Sequence, residues 1–295
     1  MLTYIFRSLL DTELTSRQET LFRFTIALML EIPNATLDHM IEVMQPNGIA
    51  KYAPYLDNLS TDAKNYFSTL FVKDPQTAST KQEVVARLFA IKSIPTISRM
   101  FSAPETKLDL YEEMGRGRVI LINAAKSLLQ EDGTELFSRF FLASILLAAE
   151  KRQTQDKADR LPTFIYIDEC QDVVRRDEKL PIILDQARAF KVGLTLAHQR
   201  PEQMTPPVLQ ALNGSVAIKM TAHPTPHHFN VTCRGVTDLP VDFHVPHVDF
   251  ATMPQMSREQ QDAVRDDMRR RYSYTPKVAE KPQPPTEEKP DDDEW

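Results

Sequence analysis

The stretch LPTFIYIDECQD, from Leu161 to Asp172, joins a run of apolar, β-favouring residues directly to two acids. The run TFIYI is short and rich in β-branched and aromatic side chains, which is typical of a strand buried in a sheet. Asp168 and Glu169 follow this run and place two carboxylates where the strand ends. An acidic pair at the end of a buried strand predicts a site for a metal ion and a reactive water.

Strand and helix patterns alternate along the chain from Arg118 onwards. The strand-like segments are RVILINA, TFIYIDE, GLTLAHQ and SVAIKMT, and helical segments such as GTELFSRFFLASILLAAEKR, DEKLPIILDQARAFK and PPVLQALNG separate them. Apolar strands joined by helices predict a mostly parallel sheet that is covered by helices on both faces. We therefore expect an α/β fold for this part of the chain.

The flanking regions have different patterns. Residues 1–110 contain no convincing strand and predict an all-α domain, which is followed by the α/β region at 111–250. Residues 251–275 include the polar segment SREQQDAVRDDMRRRY and predict a C-terminal helix. Residues 276–295 are acidic and rich in proline, a composition that predicts a disordered tail.

Capping residues predict where the first helices begin. Thr15, Asn34, Ser60 and Thr80 each precede a helical pattern, and their short polar side chains can accept a hydrogen bond from a free amide of the first turn. We therefore expect four helices to begin next to these residues.

The second predicted strand tip lies close to the first. In open α/β sheets the working site lies at the carboxyl ends of the strands. Asp168 and Glu169 end one strand, and Gln199 ends the next. Asp168 would hold Mg²⁺ through water, Glu169 would orient or deprotonate the attacking water, and Gln199 would sense the γ-phosphate position of a nucleoside triphosphate. The alternative is that the two acids simply end a strand in solvent.

Charge, cysteine content and apolar runs restrict the class of protein. The net charge is −6, and residues 276–295 contribute −4 of it through three lysines and seven acids, which leaves −2 for the rest. The chain therefore has no excess of positive charge that would predict nucleic-acid binding. Two cysteines are too few for a disulfide framework, and the longest apolar run has ten residues where a membrane span needs about 20. We expect a cytoplasmic protein without a membrane span.

The segments PTFIYIDECQDV, ILDQARAFKVGLTLAHQRPEQM and ALNGSVAIKM together resemble the second half of the motor domain in HerA/FtsK-like P-loop ATPases, particularly HerA-like and TraG/TraD-type conjugative coupling ATPases. The resemblance implies a RecA-like core in which Asp168 and Glu169 are the Walker B acids and Gln199 is the glutamine of the following strand. It further implies that Arg188 is offered to a neighbouring subunit's nucleotide. ATP and Mg²⁺ are the implied cofactors, and DNA and a homo-oligomeric ring are the implied partners.

The chain lacks the phosphate loop that such an ATPase needs. That loop ends in Gly-Lys-Ser/Thr, and none of the seven glycines here is followed by lysine. ATP and Mg²⁺ binding would then depend on a loop outside this chain, supplied upstream or by a separate chain. The sequence predicts either the C-terminal half of an ATP-driven DNA translocase or transfer motor, or a non-catalytic module that derives from an ATPase.

Other motifs predict rival sites less specifically. DECQD also resembles the acidic box of UvrD-like helicases, but the expected Gly-Asp-x-x-Gln element does not follow it. Arg200, Arg152 and Arg116 are further candidates for the role of Arg188, and Arg269–Arg271 are candidates for phosphate contacts. The histidines match no zinc spacing and favour a solvated or core role; they are His223, His227, His228, His244 and His247.

Overall fold

The computed structural model describes residues 14–174 and 188–274. Its first part is helical. The elements are α1 (Ser16–Glu31), α2 (Leu37–Met44), α3 (Ala53–Leu56), α4 (Thr61–Tyr66), α5 (Pro75–Lys92) and α6 (Pro95–Phe101), with a 3-10 helix at Gly48–Tyr52 and a π-helical turn at Phe67–Phe71. Leu21, Phe22, Leu28, Val84 and Leu88 are fully buried between these helices. The helical region therefore has an apolar core of its own.

Two of the four predicted caps are confirmed. Thr15 accepts the Gln18 amide at 3.3 Å while the Gln18 side chain accepts the Thr15 amide at 3.1 Å, and Ser60 caps α4. The prediction for Asn34 was wrong, because Asn34 lies in a left-handed turn (φ 55°) and α2 begins after Thr36. The prediction for Thr80 was also wrong, because Asp74 accepts the amides of the first turn and Pro75 starts α5 five residues earlier.

The predicted strand RVILINA does not form. After α7 (Leu110–Gly115), residues 118–125 follow an irregular path, and Val119 and Leu121 are 88% and 91% exposed. Among the described residues of this segment, only Ile120 packs into the apolar cluster that also includes Ile165 of the sheet. A buried strand needs hydrogen bonds to a neighbouring strand and packing against the side chains of both its faces. Within the described residues, nothing packs against the face that carries Val119 and Leu121.

α8 (Lys126–Lys151) includes the helix predicted after Gly133 and continues into a 3-10 turn at Arg152–Thr154. The helix is interrupted at Gln130, whose φ of 62° and ψ of 177° are not helical. Its first turn, before the interruption, is held by Leu129, which is buried against Ile94 and Ile97. Beyond the interruption, Leu142 and Leu146 pack beneath the sheet.

Two predicted strands pair in parallel as expected. β1 (Thr163–Ile167) and β2 (Val192–Leu196) align from Thr163↔Val192 to Ile167↔Leu196. One face of this pair packs against α8, α9 (Gln171–Val174) and α10 (Pro206–Ser215). On the other face, Phe164 and Tyr166 remain 66% and 75% exposed. The structure therefore shows helices on one face, and the predicted helix DEKLPIILDQARAFK lies mostly outside the described residues, so the prediction for the second face stays a prediction.

The last predicted strand joins a different sheet. β3 (Ile218–Ala222), β4 (His228–Cys233) and β5 (Val241–His244) form a three-stranded antiparallel sheet in the order β3-β4-β5. SVAIKMT is thus a strand as predicted, but β3 hydrogen-bonds to a hairpin partner that follows it and not to the parallel pair. The fold is mixed α/β, with one small parallel and one small antiparallel sheet.

The C-terminal helix is confirmed as α11 (Arg258–Tyr272), which follows a 3-10 turn at Phe250–Thr252. Ser257 caps α11 through a capping box with Gln260, and the helix has no buried residue. Arg269 pairs with Asp266, and Arg270 and Arg271 pair with Asp267, as expected for an exposed helix. None of the helices described has the length and apolar character needed to cross a bilayer.

Candidate functional site

The parallel register of β1 and β2 brings the two predicted strand tips together. Ile167 and Leu196 are paired, and the next residues continue the contact because the Ala197 amide donates to the Ile167 carbonyl at 3.0 Å. The Cys170 amide then donates to the Ala197 carbonyl at 2.8 Å, and the Cys170 side chain is fully buried. The tip that carries Asp168 and Glu169 is therefore bonded to the tip that carries Gln199.

Glu169 has a backbone conformation that few L-residues adopt. Its φ is 48°, in the left-handed region, where a residue with a Cβ is strained by about 1 kcal/mol or more. The Glu169 amide donates to Asp168 Oδ1 at 3.0 Å, which helps to hold this turn. The turn directs the Glu169 side chain back over the strand tips, where it meets Gln199.

Two glutamine amides hold the Glu169 carboxylate. Gln199 Nε2 donates to Glu169 Oε1 at 2.7 Å, and Gln171 Nε2 donates to Glu169 Oε2 at 2.5 Å. The hydrogen bond from Gln171 has the largest effect on the pKa of Glu169, followed by the hydrogen bond from Gln199, and both lower it. Burial has a smaller effect in the opposite direction, so the pKa of Glu169 stays below its ordinary value. Glu169 is therefore an oriented, ionised carboxylate at neutral pH. The structure brings Glu169 and Gln199 together as the sequence predicts.

Gln171 is a site residue that the sequence analysis missed. It is the first residue of α9 and only 7% exposed, and its Oε1 is buried without a hydrogen-bond partner in the described structure. A buried polar atom without a hydrogen-bond partner destabilises the folded protein. The hydrogen bond from Gln171 Nε2 to Glu169 offsets part of this cost. Gln171 is visible in the sequence as the third residue after Asp168 in DECQD. Its contact with Glu169, however, depends on the left-handed turn at Glu169.

A lysine from α8 lies at the same edge. Lys126 Nζ pairs with Asp172 Oδ1 at 2.9 Å, and this hydrogen bond raises the pKa of Lys126. The Lys126 charge also contributes to the low pKa of Glu169. The edge therefore combines three carboxylates, two amides and one ammonium group.

Asp168 is the residue for which the sequence predicts Mg²⁺ binding through water. It is exposed, and one of its oxygens accepts the Glu169 amide, which leaves lone pairs for other donors. No group of three or more metal-ligating side chains occurs in residues 14–174 and 188–274. Since Mg²⁺ usually keeps several waters and binds one or two carboxylates together with phosphate oxygens, Asp168 fits that type of site.

The candidate arginines lie in different places. Arg188 begins the 3-10 turn Arg188–Phe190, but its side chain is outside the described part of the structure. Arg152 is only 2% exposed and donates to the Leu161 carbonyl at 2.8 Å and to Thr163 Oγ1 at 3.0 Å. A side chain buried in this way cannot contact the nucleotide of a neighbouring subunit, so the prediction of that role for Arg152 was wrong. Arg116 is exposed and paired with Glu112 and Glu113, and Arg200 is exposed.

The five histidines lie around the antiparallel sheet. His228 Nδ1 is 2.8 Å from Asp242 Oδ1, and the ring centroids of His228 and His244 are 4.9 Å apart. His223 neighbours His228 at 5.9 Å, and His227 neighbours His247 at 5.2 Å. The histidines thus neighbour one another on and beside the antiparallel sheet.

Replacing Gln171 by Met is expected to raise the pKa of Glu169 toward its ordinary value, because the largest cause of the lowered pKa is removed. A ¹³C NMR titration of the Glu169 carboxyl in the full chain measures this shift. At a pH above the ordinary pKa of a glutamate, the ionised Glu169 carboxylate stabilises the folded strand tip. This stabilisation disappears as the pH falls through the lowered pKa of Glu169. Gln203→Met is the control, because Gln203 accepts the Arg200 amide instead. Equal titration curves for Gln171→Met and the native chain would contradict the role of Gln171.

Comparison with protein-family models, with curated proteins and with solved structures found no match for this chain.

Proposed function

We propose that this chain is the C-terminal, Walker B half of an ATP-driven DNA translocase or DNA-transfer motor of the HerA/FtsK or coupling-protein type, and that it hydrolyses ATP with a phosphate loop supplied from outside these residues. The observation that carries the proposal is the Glu169 carboxylate, which stands at the carboxyl end of a parallel strand and is fixed by Gln199 from the neighbouring tip. Carboxyl ends of parallel strands are where α/β proteins bind their ligands.

The side chains present fit the activation of water. Each carboxylate oxygen of Glu169 accepts one amide hydrogen bond and keeps a second lone pair, so Glu169 can also accept a hydrogen bond from water. Its lowered pKa keeps it ionised, and the two amides fix its direction. Asp168 would hold Mg²⁺ through water, and the ion would neutralise charge on the phosphates. Gln199 links the carboxylate to the tip of β2.

The free edge of β2 supports the need for a further polypeptide segment. Among the described residues β2 pairs only with β1, so its second row of amides and carbonyls has no strand partner. The exposed face with Phe164 and Tyr166 also has no cover within these residues. An unpaired edge and an apolar face next to the candidate site suit an added strand and helix that carry the phosphate loop.

The proposed partners follow from the resemblance. DNA is the proposed cargo, a homo-oligomeric ring in the cytoplasm is the proposed assembly, and Arg188 is the proposed group offered to the neighbouring subunit's nucleotide. Among the other candidate arginines, Arg152 is buried and Arg116 is paired with acids of its own helix, whereas Arg200 is exposed and stays a candidate for the same role.

A second candidate function is a non-catalytic interaction module derived from an ATPase. Both Glu169 oxygens already hold amide donors, and large apolar side chains are exposed on both sheets. A structural role for the Glu169 clamp together with binding of a protein partner would also account for these contacts.

ATP binding by the chain alone tests the half-domain proposal, and ATP hydrolysis by the assembled complex separates the two functions. The purified chain alone is expected to give no heat in a calorimetric titration with ATP and Mg²⁺, because amides and a lysine of a phosphate loop supply most of the grip on the phosphates. Co-expression with the polypeptide that carries the phosphate loop, whether it is an upstream segment or a separate chain, is expected to restore ATP hydrolysis that DNA stimulates. Micromolar ATP binding by the chain alone would refute the half-domain proposal. A stable but inactive complex would favour the non-catalytic module.

A further inference from the structure

A row of three histidines crosses one end of the antiparallel sheet. The register pairs His228 of β4 with His244 of β5. The His223 amide donates to the His228 carbonyl at 3.2 Å, which continues the pairing of β3 with β4 beyond Ala222. Side chains that lie opposite one another in a sheet project from the same face, so the three imidazoles are neighbours there. Their spacing in the sequence matches no zinc pattern, because the sheet and not the chain order brings them together.

His228 and His244 are the closer pair of this row. The Val245 amide donates to the His227 carbonyl at 2.7 Å, so these two residues form a hydrogen-bonded pair. The next pair in an antiparallel ladder is a non-hydrogen-bonded pair, in which the side chains lie closer together. His228 and His244 form that pair, and their ring centroids are 4.9 Å apart with the ring planes inclined at 48°. The His223 ring is 5.9 Å from that of His228.

Asp242 orients the His228 ring. The two Asp242 carboxylate oxygens lie 2.8 Å and 3.0 Å from His228 Nδ1. An ionised carboxylate only accepts hydrogen bonds, so Nδ1 carries the proton, and the neutral ring has its free lone pair on Nε2. Carboxylates orient metal-binding histidines in the same way. His228 therefore has the proton arrangement of a histidine that binds a metal ion through Nε2.

The third histidine of the row has the opposite proton arrangement. The Thr225 amide donates to His223 Nδ1 at 3.0 Å, so Nδ1 has no proton and Nε2 of the neutral ring carries one. Neither nitrogen of His223 then has a lone pair for a metal ion. In the part of the chain that is described, no three metal-ligating side chains are arranged to hold one ion. A metal site at this row would therefore use two protein ligands, and water would complete the coordination.

We infer that His228 Nε2 and a ring nitrogen of His244 bind a divalent transition metal ion, with Zn²⁺ as the expected ion. Imidazole suits Zn²⁺, Ni²⁺ and Cu²⁺, whereas Mg²⁺ requires oxygen ligands. A tetrahedral Zn²⁺ about 2.1 Å from each ligand holds two nitrogens about 3.4 Å apart. Rings with centroids 4.9 Å apart can present nitrogens at that spacing, because each nitrogen lies on the rim of its ring.

The position of the two histidines gives the ion access and a structural effect. His244 is exposed, and the His228 side chain is 27% exposed, so the ion and its waters can reach both rings. Within the described structure β5 pairs only with β4, and the ion would fasten this edge strand to its neighbour. The inference does not depend on the proposed ATP chemistry.

Calorimetric titration of the full chain, purified without a histidine tag, with ZnCl₂ tests the inference. Excess MgCl₂ in the buffer competes for carboxylate sites such as the strand tips but not for imidazole. The native chain is expected to bind Zn²⁺, and His244→Ala is expected to weaken this binding about tenfold or more, because one of two protein ligands is lost. No Zn²⁺ binding by the native chain, or equal affinity in His244→Ala, would overturn the inference.

Two further histidine variants are the matched controls. His223→Ala is expected to keep the native Zn²⁺ affinity, because both His223 nitrogens are already committed. His247→Ala is also expected to keep it: His247 neighbours His227 at 5.2 Å, but it lies beyond the end of β5, where no strand register positions it. A loss of affinity in either control as large as that in His244→Ala would overturn the assignment of the two ligands.

Asp242→Ala tests the orientation of His228. Removal of a carboxylate that orients a ligand is expected to lower the Zn²⁺ affinity about 10-fold to 100-fold. Asp238→Ala removes the same charge from an exposed position between β4 and β5, so it controls for a general electrostatic effect and is expected to keep the affinity. NMR correlations of the ring nitrogens are expected to show a proton on His228 Nδ1 and on His223 Nε2 before Zn²⁺ is added. Native affinity in Asp242→Ala, or the reverse proton positions, would overturn the orienting role of Asp242.

Discussion

Replacing Glu169 by Gln is expected to reduce ATP turnover about 100-fold to 10,000-fold in the motor assembled with the polypeptide that supplies the phosphate loop. The amide keeps the shape of the carboxylate but not its basicity, so water would lose the group that orients or deprotonates it. Nucleotide binding should remain, because it depends mainly on the phosphate loop. The measurement is steady-state hydrolysis together with nucleotide retention.

The Glu169→Gln variant should fold normally because one of the two clamping amides can turn. Gln171 is buried and keeps its orientation, so it donates to the new carbonyl oxygen. Gln199 is exposed and can rotate its amide so that its oxygen accepts from the new amide group. The loss of turnover would then report chemistry and not unfolding.

Glu202→Gln is the matched control, since Glu202 is an exposed glutamate in the 3-10 turn just after Gln199. This variant is expected to keep native turnover. Equal turnover in Glu169→Gln and the native motor would remove Glu169 from the reaction.

Arg152→Ala is expected to lower the free energy of unfolding by about 3 kcal/mol or more. Truncation leaves a cavity where a fully buried side chain stood and removes the donors to the Leu161 carbonyl and Thr163 Oγ1. These contacts hold the start of β1 against the end of α8. Urea denaturation followed by circular dichroism measures the change.

Arg116→Ala is the control for the Arg152 prediction. Arg116 is 56% exposed and pairs with Glu112 and Glu113 on the surface, where such ion pairs contribute about 1 kcal/mol or less. The two arginines should therefore differ clearly in their effect on stability. Similar losses for Arg152→Ala and Arg116→Ala would contradict the buried role of Arg152.

The strand tips were predictable because their signals are local. TFIYI and GLTL are short apolar segments that end in polar residues, and the rule that parallel strands end at the same edge places Gln199 beside Glu169. The helix caps at Thr15 and Ser60 were predictable for the same reason, since each satisfies amides of its own first turn.

The remaining features depend on contacts between distant residues. Sequence shows Arg152 only as a charge near a helix end, and its burial results from the packing of α8 on the start of β1. The segment RVILINA has strand propensity, but propensity alone does not hold a strand when the outward side chains have no cover. The role of Gln171 depends on a left-handed backbone at Glu169, which no propensity rule assigns to glutamate.

The interruption at Gln130 does not separate the first turn of α8 from the helical region that packs on it. Leu129 before the interruption and Leu136 after it lie in one buried cluster with Ile97 of α6. Phe101 of α6 also packs against Phe140, further along α8, with ring centroids 5.3 Å apart. A displacement of the helical region would thus move both parts of α8, and it would reach the acidic strand tip through the Lys126–Asp172 ion pair and through the apolar layer beneath the sheet.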